Sequence, residues 1–161
     1  MLVTATSKIG LDREEAEHVE HASRPPRTPA RGMSATGGCL CGGVRYEVSG
    51  PLRDVVVCHC RRCRRTHGHA AAYSACADAD LVFDAAGGLR WYEADGRSRG
   101  FCGHCGASLF WRAGGGETTS IAAGTLDEPT GLRTIAQIHT ADAGDYYEIA
   151  GEGTRHEGEL P

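Results

Sequence analysis

Cys58-His59-Cys60-Arg61-Arg62-Cys63 places three thiols within six consecutive residues of a chain that holds eight cysteines. Thiols this close make poor disulfide partners. A disulfide needs Cα atoms roughly 4.4–6.8 Å apart and a near-right-angle dihedral, which a Cys-x-Cys turn reaches only under strain. A metal ion asks instead for several soft ligands converging on one point, and thiolates do this with Zn–S distances of about 2.3 Å. Three ligands leave a tetrahedral ion one open position, the arrangement of catalytic rather than structural zinc. Cys58, Cys60 and Cys63 are therefore candidate catalytic residues as well as metal ligands.

The remaining cysteines divide in two ways. In one, Cys39, Cys41, Cys102 and Cys105 close a structural zinc, the first three thiols hold a second ion, and Cys76 stands aside. In the other, Cys76 completes the triple, and both sites are closed four-thiolate staples, the usual structural form. The first division is favoured. Cys76 lies in Ala-Tyr-Ser-Ala-Cys-Ala, an apolar strand pattern in which a lone cysteine is usually a small buried side chain. The Cys-x-Cys and Cys-x-x-Cys pairs supply two ligands each, and joining Cys39 to Cys105 closes a long loop. A redox reading of Cys102-Gly103-His104-Cys105 fits less well, because that motif opens a helix beside a βαβ unit and glycines and strand patterns surround it here.

Zinc with three thiolates carries a net negative charge, and a further thiolate needs cations nearby. Arg61, Arg62, Arg64 and Arg65 flank Cys63 and could supply them, although any single one of them fits a solvated face better. His59, His67 and His69 sit beside the triple. With three thiols at hand none of these is needed as a ligand. In an extended segment His59 points away from Cys58 and Cys60.

Composition narrows the class. The chain has 161 residues, 40% apolar, with 23 glycines. This suits one small, turn-rich domain reinforced by metal. The net charge of −4 and the lack of aromatics among the arginines argue against a nucleic-acid partner. Residues 1–21 hold Asp12, Glu14, Glu15, Glu17 and Glu20 with no apolar run of the signal-peptide kind, and no stretch is apolar enough to span a membrane. A cytoplasmic protein with reduced, metal-binding cysteines is expected.

Short strand patterns separated by glycine turns run from Gly37 onward. Val44–Val48, Val55–Val57, Ala70–Ala75, Leu81–Phe83, Leu89–Tyr92, Ser108–Trp111, Thr118–Ala122, Arg133–His139 and Tyr146–Ile149 all read as strands. The cysteine triple reads as a loop. No long helix is expected after residue 34, and the fold class is all-β or β-dominated, a small zinc-stabilised domain over residues 34–161. Residues 1–33, broken by Arg24-Pro25-Pro26-Arg27-Thr28-Pro29, read as a disordered or peripheral extension.

Gly38-Cys39-Leu40-Cys41-Gly42, Cys58-His59-Cys60-Arg61-Arg62-Cys63-Arg64, Gly100-Phe101-Cys102-Gly103-His104-Cys105-Gly106 and Ala123-Gly124-Thr125-Leu126-Asp127, in that order and spacing, resemble the motifs of the glutathione-dependent formaldehyde-activating enzymes, related to the centromere protein V group. The resemblance covers roughly Gly37 to Ile149. It implies a β-rich fold with two zinc sites: a structural one on Cys39, Cys41, Cys102 and Cys105, and a labile or catalytic one on Cys58, Cys60 and Cys63. It also implies a carbon–sulfur lyase activity of the S-(hydroxymethyl)glutathione synthase type, with a small thiol such as glutathione and formaldehyde or a similar aldehyde as partners. Gln137 stands where the family pattern leads to histidine, and Ala150-Gly151-Glu152-Gly153-Thr154 replaces the family's usual tail. The contrasting reading is a non-catalytic zinc module for a protein or nucleic-acid partner. A thiol triple with a free position in a concave pocket distinguishes the enzyme from the module.

Overall fold

Alternating apolar and polar residues become strands along the whole of the part described by the computed structural model, residues 34–161. The extension expected over residues 1–33 lies outside the described residues. The strands are β1 (Ala35–Gly38), β2 (Arg45–Val48), β3 (Arg53–Cys58), β4 (Ala71–Ala77), β5 (Leu81–Ala85), β6 (Leu89–Ala94), β7 (Arg97–Cys102), β8 (Ser108–Ala113), β9 (Thr118–Ala122), β10 (Thr134–Ile138) and β11 (Thr154–Arg155). Their only α-helical companion among the described residues is α1 (Arg61–His67). The fold is β-dominated, as expected.

Two sheets form. One is β1-β2-β5, and the other runs β11-β10-β3-β4-β9-β8-β7-β6. Neighbours are antiparallel except β10, which is parallel to both β3 and β11. The side-chain period of two gives each face of the large sheet its own job. Gly100, Phe110, Ile121 and Ser74 lie in one register row across β7, β8, β9 and β4, on the face turned to the core. Tyr46 and Phe83 of the small sheet meet Phe110 edge-on, with ring centroids at 5.1 and 5.6 Å. Val44, Val48, Leu81 and Leu109 fill in around them.

The opposite face carries a second row, Arg99, Trp111, Ser120, Ala75 and Arg53, across β7, β8, β9, β4 and β3. Val56 and Tyr73 pair one step along it, and Cys58 ends β3 opposite Ala71. That face is the floor of the candidate site.

The segment Ala123–Asp127 fastens the small sheet to the end of β9. Asp127 accepts a forked pair of bonds from Arg45 at 2.6 and 3.2 Å and another from Thr36 Oγ1 at 2.6 Å. Thr125 Oγ1 meets Tyr46 Oη at 2.8 Å. A side chain at Gly37 would lie 2.4 Å from the Tyr46 ring and 2.5 Å from the Thr125 carbonyl, so glycine is what lets these segments close up.

Two local expectations are corrected. Cys63 does not lie in a loop but in the first turn of α1. The thiol of Cys60 serves as N-cap, accepting from Cys63 N–H at 3.4 Å, and Gly68 stops the helix at φ 77°. Cysteine is not among the usual capping residues, which hid this start. Gly68 is the expected left-handed terminator, and Arg64, Arg65 and His67 suit the carbonyl end of the helix. The second correction concerns Tyr146–Ile149, which makes no strand. Its aromatic rings pack on histidines instead: Tyr147 stands edge-on to His69 at 4.4 Å and stacks on His59 at 5.6 Å. The last strand is Thr154–Arg155, a polar, exposed pair of residues at the sheet edge that no alternation announces.

Candidate metal centres and the cleft beside them

Cys39 and Cys41 sit in the turn after β1. Cys102 ends β7, and Cys105 lies in the turn to β8. Their four sulfurs are all within 4.8 Å of one another, with Cys41 Sγ 3.6 Å from Cys39 and 3.7 Å from Cys102. All eight cysteines are free thiols. Gly42 and Gly106, each following a cysteine, both adopt φ 75°, the left-handed turn that tips backbone N–H groups toward sulfur. Val44 N–H reaches Cys39 Sγ at 3.2 Å. A side chain on Gly88 would stand 3.0 Å from Cys102 Sγ, so glycine also admits the second chain. The Ala107 and Cys41 N–H groups pull the Cys105 thiol down to about 6. This cluster joins residues some sixty positions apart and lies at one end of the core, with Cys102 fully buried.

Cys58, Cys60 and Cys63 form the second group, again with sulfurs within 4.8 Å of one another. No fourth cysteine, histidine or carboxylate among the described residues joins them at that distance. Cys76 is not part of either group; it is buried in the core between the sheets. Within the triple, Cys58 accepts from the Cys63 thiol and from Cys60 N–H, which brings it to about 6 despite burial. Cys63, whose S–H donates a hydrogen bond to Cys58 and which is itself partly buried, is driven far up. One of these sulfurs is thus ready to ionise near neutral pH before any cation arrives. Each group is of a kind that could hold a metal ion.

The three histidines near the triple are engaged elsewhere. His59, only 3% exposed, turns away from the sulfurs and bonds Tyr147 and Gln137. His67 Nε2 meets Tyr73 Oη at 2.7 Å, and His69 Nδ1 meets Tyr146 Oη at 3.4 Å.

The triple opens onto a cleft of about 630 Å³. Arg53, Tyr73, Arg99, Trp111 and Ser120 contribute its sheet floor, Arg61 and Arg62 of α1 one wall, and His139 and Glu159 another. Of the arginines flanking Cys63, Arg62 pairs with Asp95 at 2.9 Å. Arg64 is turned to the carbonyls of His59 and Asp142 at 3.2 and 3.0 Å. Arg53, Arg97, Arg99, Tyr73, Trp111 and His139 were not singled out from sequence. They come from four separate strands and a loop, and only strand register brings them to one face.

A family model described as glutathione-dependent formaldehyde-activating enzyme matches residues 34–142, more than half of the chain. The chain belongs to that family. Every cysteine of the two clusters falls within the matched segment of this formaldehyde-activating family member. A crystal structure of a Rhodobacter sphaeroides protein is similar, with a TM-score of 0.52 and 23% identity over 74% of this chain and 98% of that one. That likeness concerns the fold. No curated protein matches the chain. No helix among the described residues is long and apolar enough to cross a membrane.

Proposed function

We propose that this protein is a zinc-dependent carbon–sulfur lyase of the S-(hydroxymethyl)glutathione synthase type, joining a small thiol such as glutathione to formaldehyde or a similar aldehyde. The observation that carries the reading is a thiol triple, without a fourth protein donor among the described residues, at the edge of an open, arginine-lined cleft. A closed staple on a flat surface would have spoken for a binding module.

The donor sets fit zinc. All-sulfur sites select Zn²⁺, Cu⁺ or iron–sulfur clusters; four thiols at one end of the core suit a closed structural ion, and three beside a cleft suit an open one. Cys39, Cys41, Cys102 and Cys105 would hold the first ion, and Cys58, Cys60 and Cys63 the second. The chemistry a zinc ion supplies in the second place is to lower a thiol's pKa and polarise a carbonyl.

The chain's own residues set the stage for addition. The cleft brings a thiol and an aldehyde together, which raises their effective concentration. Arg61, beside Cys60 in the chain and on the wall of the cleft, offers a cation to the negative charge gathered at the sulfurs. In the reaction the substrate thiol gives its proton to water, its sulfur forms a bond to the aldehyde carbon, the C=O π bond breaks, and the oxygen takes a proton back from water. The product is a hemithioacetal. Residues 34–161 act in this reading as the zinc-binding domain, and reduced thiols suit a cytoplasmic site of action.

The test is the rate of hemithioacetal formation from glutathione and formaldehyde, followed by NMR exchange. The expected result is a rate above the spontaneous one that disappears with Cys60→Ser. No acceleration with any of several thiols would sink the reading.

A further inference from the structure

Arg53 and Arg99 stand at opposite ends of one register row, with Ala75, Ser120 and Trp111 between them. Both are partly buried, both line the cleft, and no carboxylate among the described residues pairs with either. Among the described residues the Arg53 guanidinium has one protein bond, to the Tyr73 carbonyl at 3.2 Å. Burial alone pulls its pKa down, with no anion to offset it. The other arginines of the cleft differ. Arg62 already has Asp95, and Arg61 and Arg97 are exposed to water. A half-desolvated guanidinium without an anion is unfavourable unless something else provides one.

We propose that Arg53 and Arg99 are specificity-determining residues that bind two separated carboxylates of the thiol substrate, one at each end of the molecule, while its sulfur lies toward Cys58, Cys60 and Cys63. The assignment rests on the thiol-binding function proposed above.

The scale is compatible. Four strand spacings of ~4.8 Å put the two Cα atoms on the order of 19 Å apart before twist is counted. A tripeptide-sized thiol is about 10 Å long when extended, and two long arginine side chains reaching inward span the remainder. Guanidinium forks match carboxylates geometrically. Trp111 and Tyr73 provide a flat apolar floor between the two charges. A thiol with no carboxylate, or with only one, leaves a guanidinium unpaired and is bound less well.

Isothermal titration of the full chain as isolated tests this with three probes: glutathione, S-methylglutathione, which keeps both carboxylates but has no free thiol, and cysteamine, which has a thiol and no carboxylate. Arg53→Gln and Arg99→Gln should each weaken both glutathione forms by about tenfold, the value of one charge-assisted contact, and leave cysteamine within about twofold. Arg53→Lys, which retains the charge but not the fork, should recover part of the loss. Thermal melts identify any variant whose fold has suffered, and Arg99→Gln, which removes no protein hydrogen bond, then decides. Equal weakening of cysteamine and glutathione, or unchanged binding of S-methylglutathione in both glutamine variants, overturns the proposal, as does failure of either glutathione form to bind the wild-type chain. Arginine-dependent binding of S-methylglutathione without any binding of cysteamine would retain the carboxylate sites and count instead against the thiol chemistry.

Discussion

Gln137 Oε1 lies 2.8 Å from His59 Nε2, while the amide nitrogen of Gln137 donates to the carbonyls of Ala150 and Glu152 at 3.3 and 3.2 Å. The two carbonyls fix which end of the amide is oxygen, so His59 carries its proton on Nε2. Its Nδ1 then accepts from the Tyr147 hydroxyl at 2.7 Å. Through this chain of bonds the segment after β10 is fastened beneath the segment that carries Cys58, Cys60 and Cys63. A histidine at position 137 could not make all three contacts with its two ring nitrogens. Gln137→Leu leaves the His59 N–H and two carbonyls unpaired, and should cost about 2–3 kcal/mol. Tyr147→Phe should cost about 1 kcal/mol. Urea unfolding measures both, and the metal content should not change.

The two thiol groups should respond differently to substitution. Cys39→Ser or Cys105→Ser removes a thiol from the cluster that ties β1 to β7 and β8, and on the proposed zinc-binding role should unfold the domain, since structural zinc contributes about 10–16 kcal/mol in small peptides. Cys60→Ser is milder. Serine can still cap α1 by accepting from Cys63 N–H, as the thiol does. Its fold should stand, with the metal count falling from roughly two to one per chain, one per cluster. Mass spectrometry and circular dichroism measure the two effects, and equal loss of stability in both kinds of variant would contradict separate roles.

Cys76→Ala separates the two ways of dividing the cysteines. Cys76 lies in the core rather than beside the triple, and its burial pushes its thiol up to about 11. The substitution should cost about 1 kcal/mol from lost packing and leave metal stoichiometry intact. A drop of one ion per chain would restore the four-thiolate alternative.

The Asp127 contacts to Arg45 and Thr36 hold its carboxyl below the ordinary value of 3.8. A carboxylate whose pKa is lower folded than unfolded stabilises the fold above its unfolded pKa and loses that contribution as pH falls through the folded one. Asp127→Asn should therefore lower the melting temperature at neutral pH and have a shrinking effect as pH falls below about 4. The pair is solvent-exposed, so salt should also weaken the effect. A difference between variant and parent that stays constant down to pH 2 would contradict it.

Most of the strands and the grouping of neighbouring cysteines were readable from local chemistry, but β1 and β7 were not among the strands expected. Cys-x-Cys and Cys-x-x-Cys with glycine next to them force a few side chains into a small volume, and alternation over short stretches gives strands. Both are properties of adjacent residues. The helix at Arg61–His67 escaped because its cap is a cysteine, and Thr154–Arg155 escaped because an exposed edge strand has no apolar face to show.

The cleft depended on tertiary structure. Arg53 and Arg99 are 46 positions apart, and nothing in either neighbourhood marks it. They share a face only because β3, β4, β9, β8 and β7 pair in one particular register, and a slip of one residue would turn each to the other side of the sheet. The sequence alone determined that Cys58, Cys60 and Cys63 meet, and likewise the members of each cysteine pair, because short spacing leaves the chain few ways to keep them apart; folding brought Cys39 and Cys41 to Cys102 and Cys105. Folding decided what faces those sulfurs, because strand pairing joins residues that have no local means of finding one another.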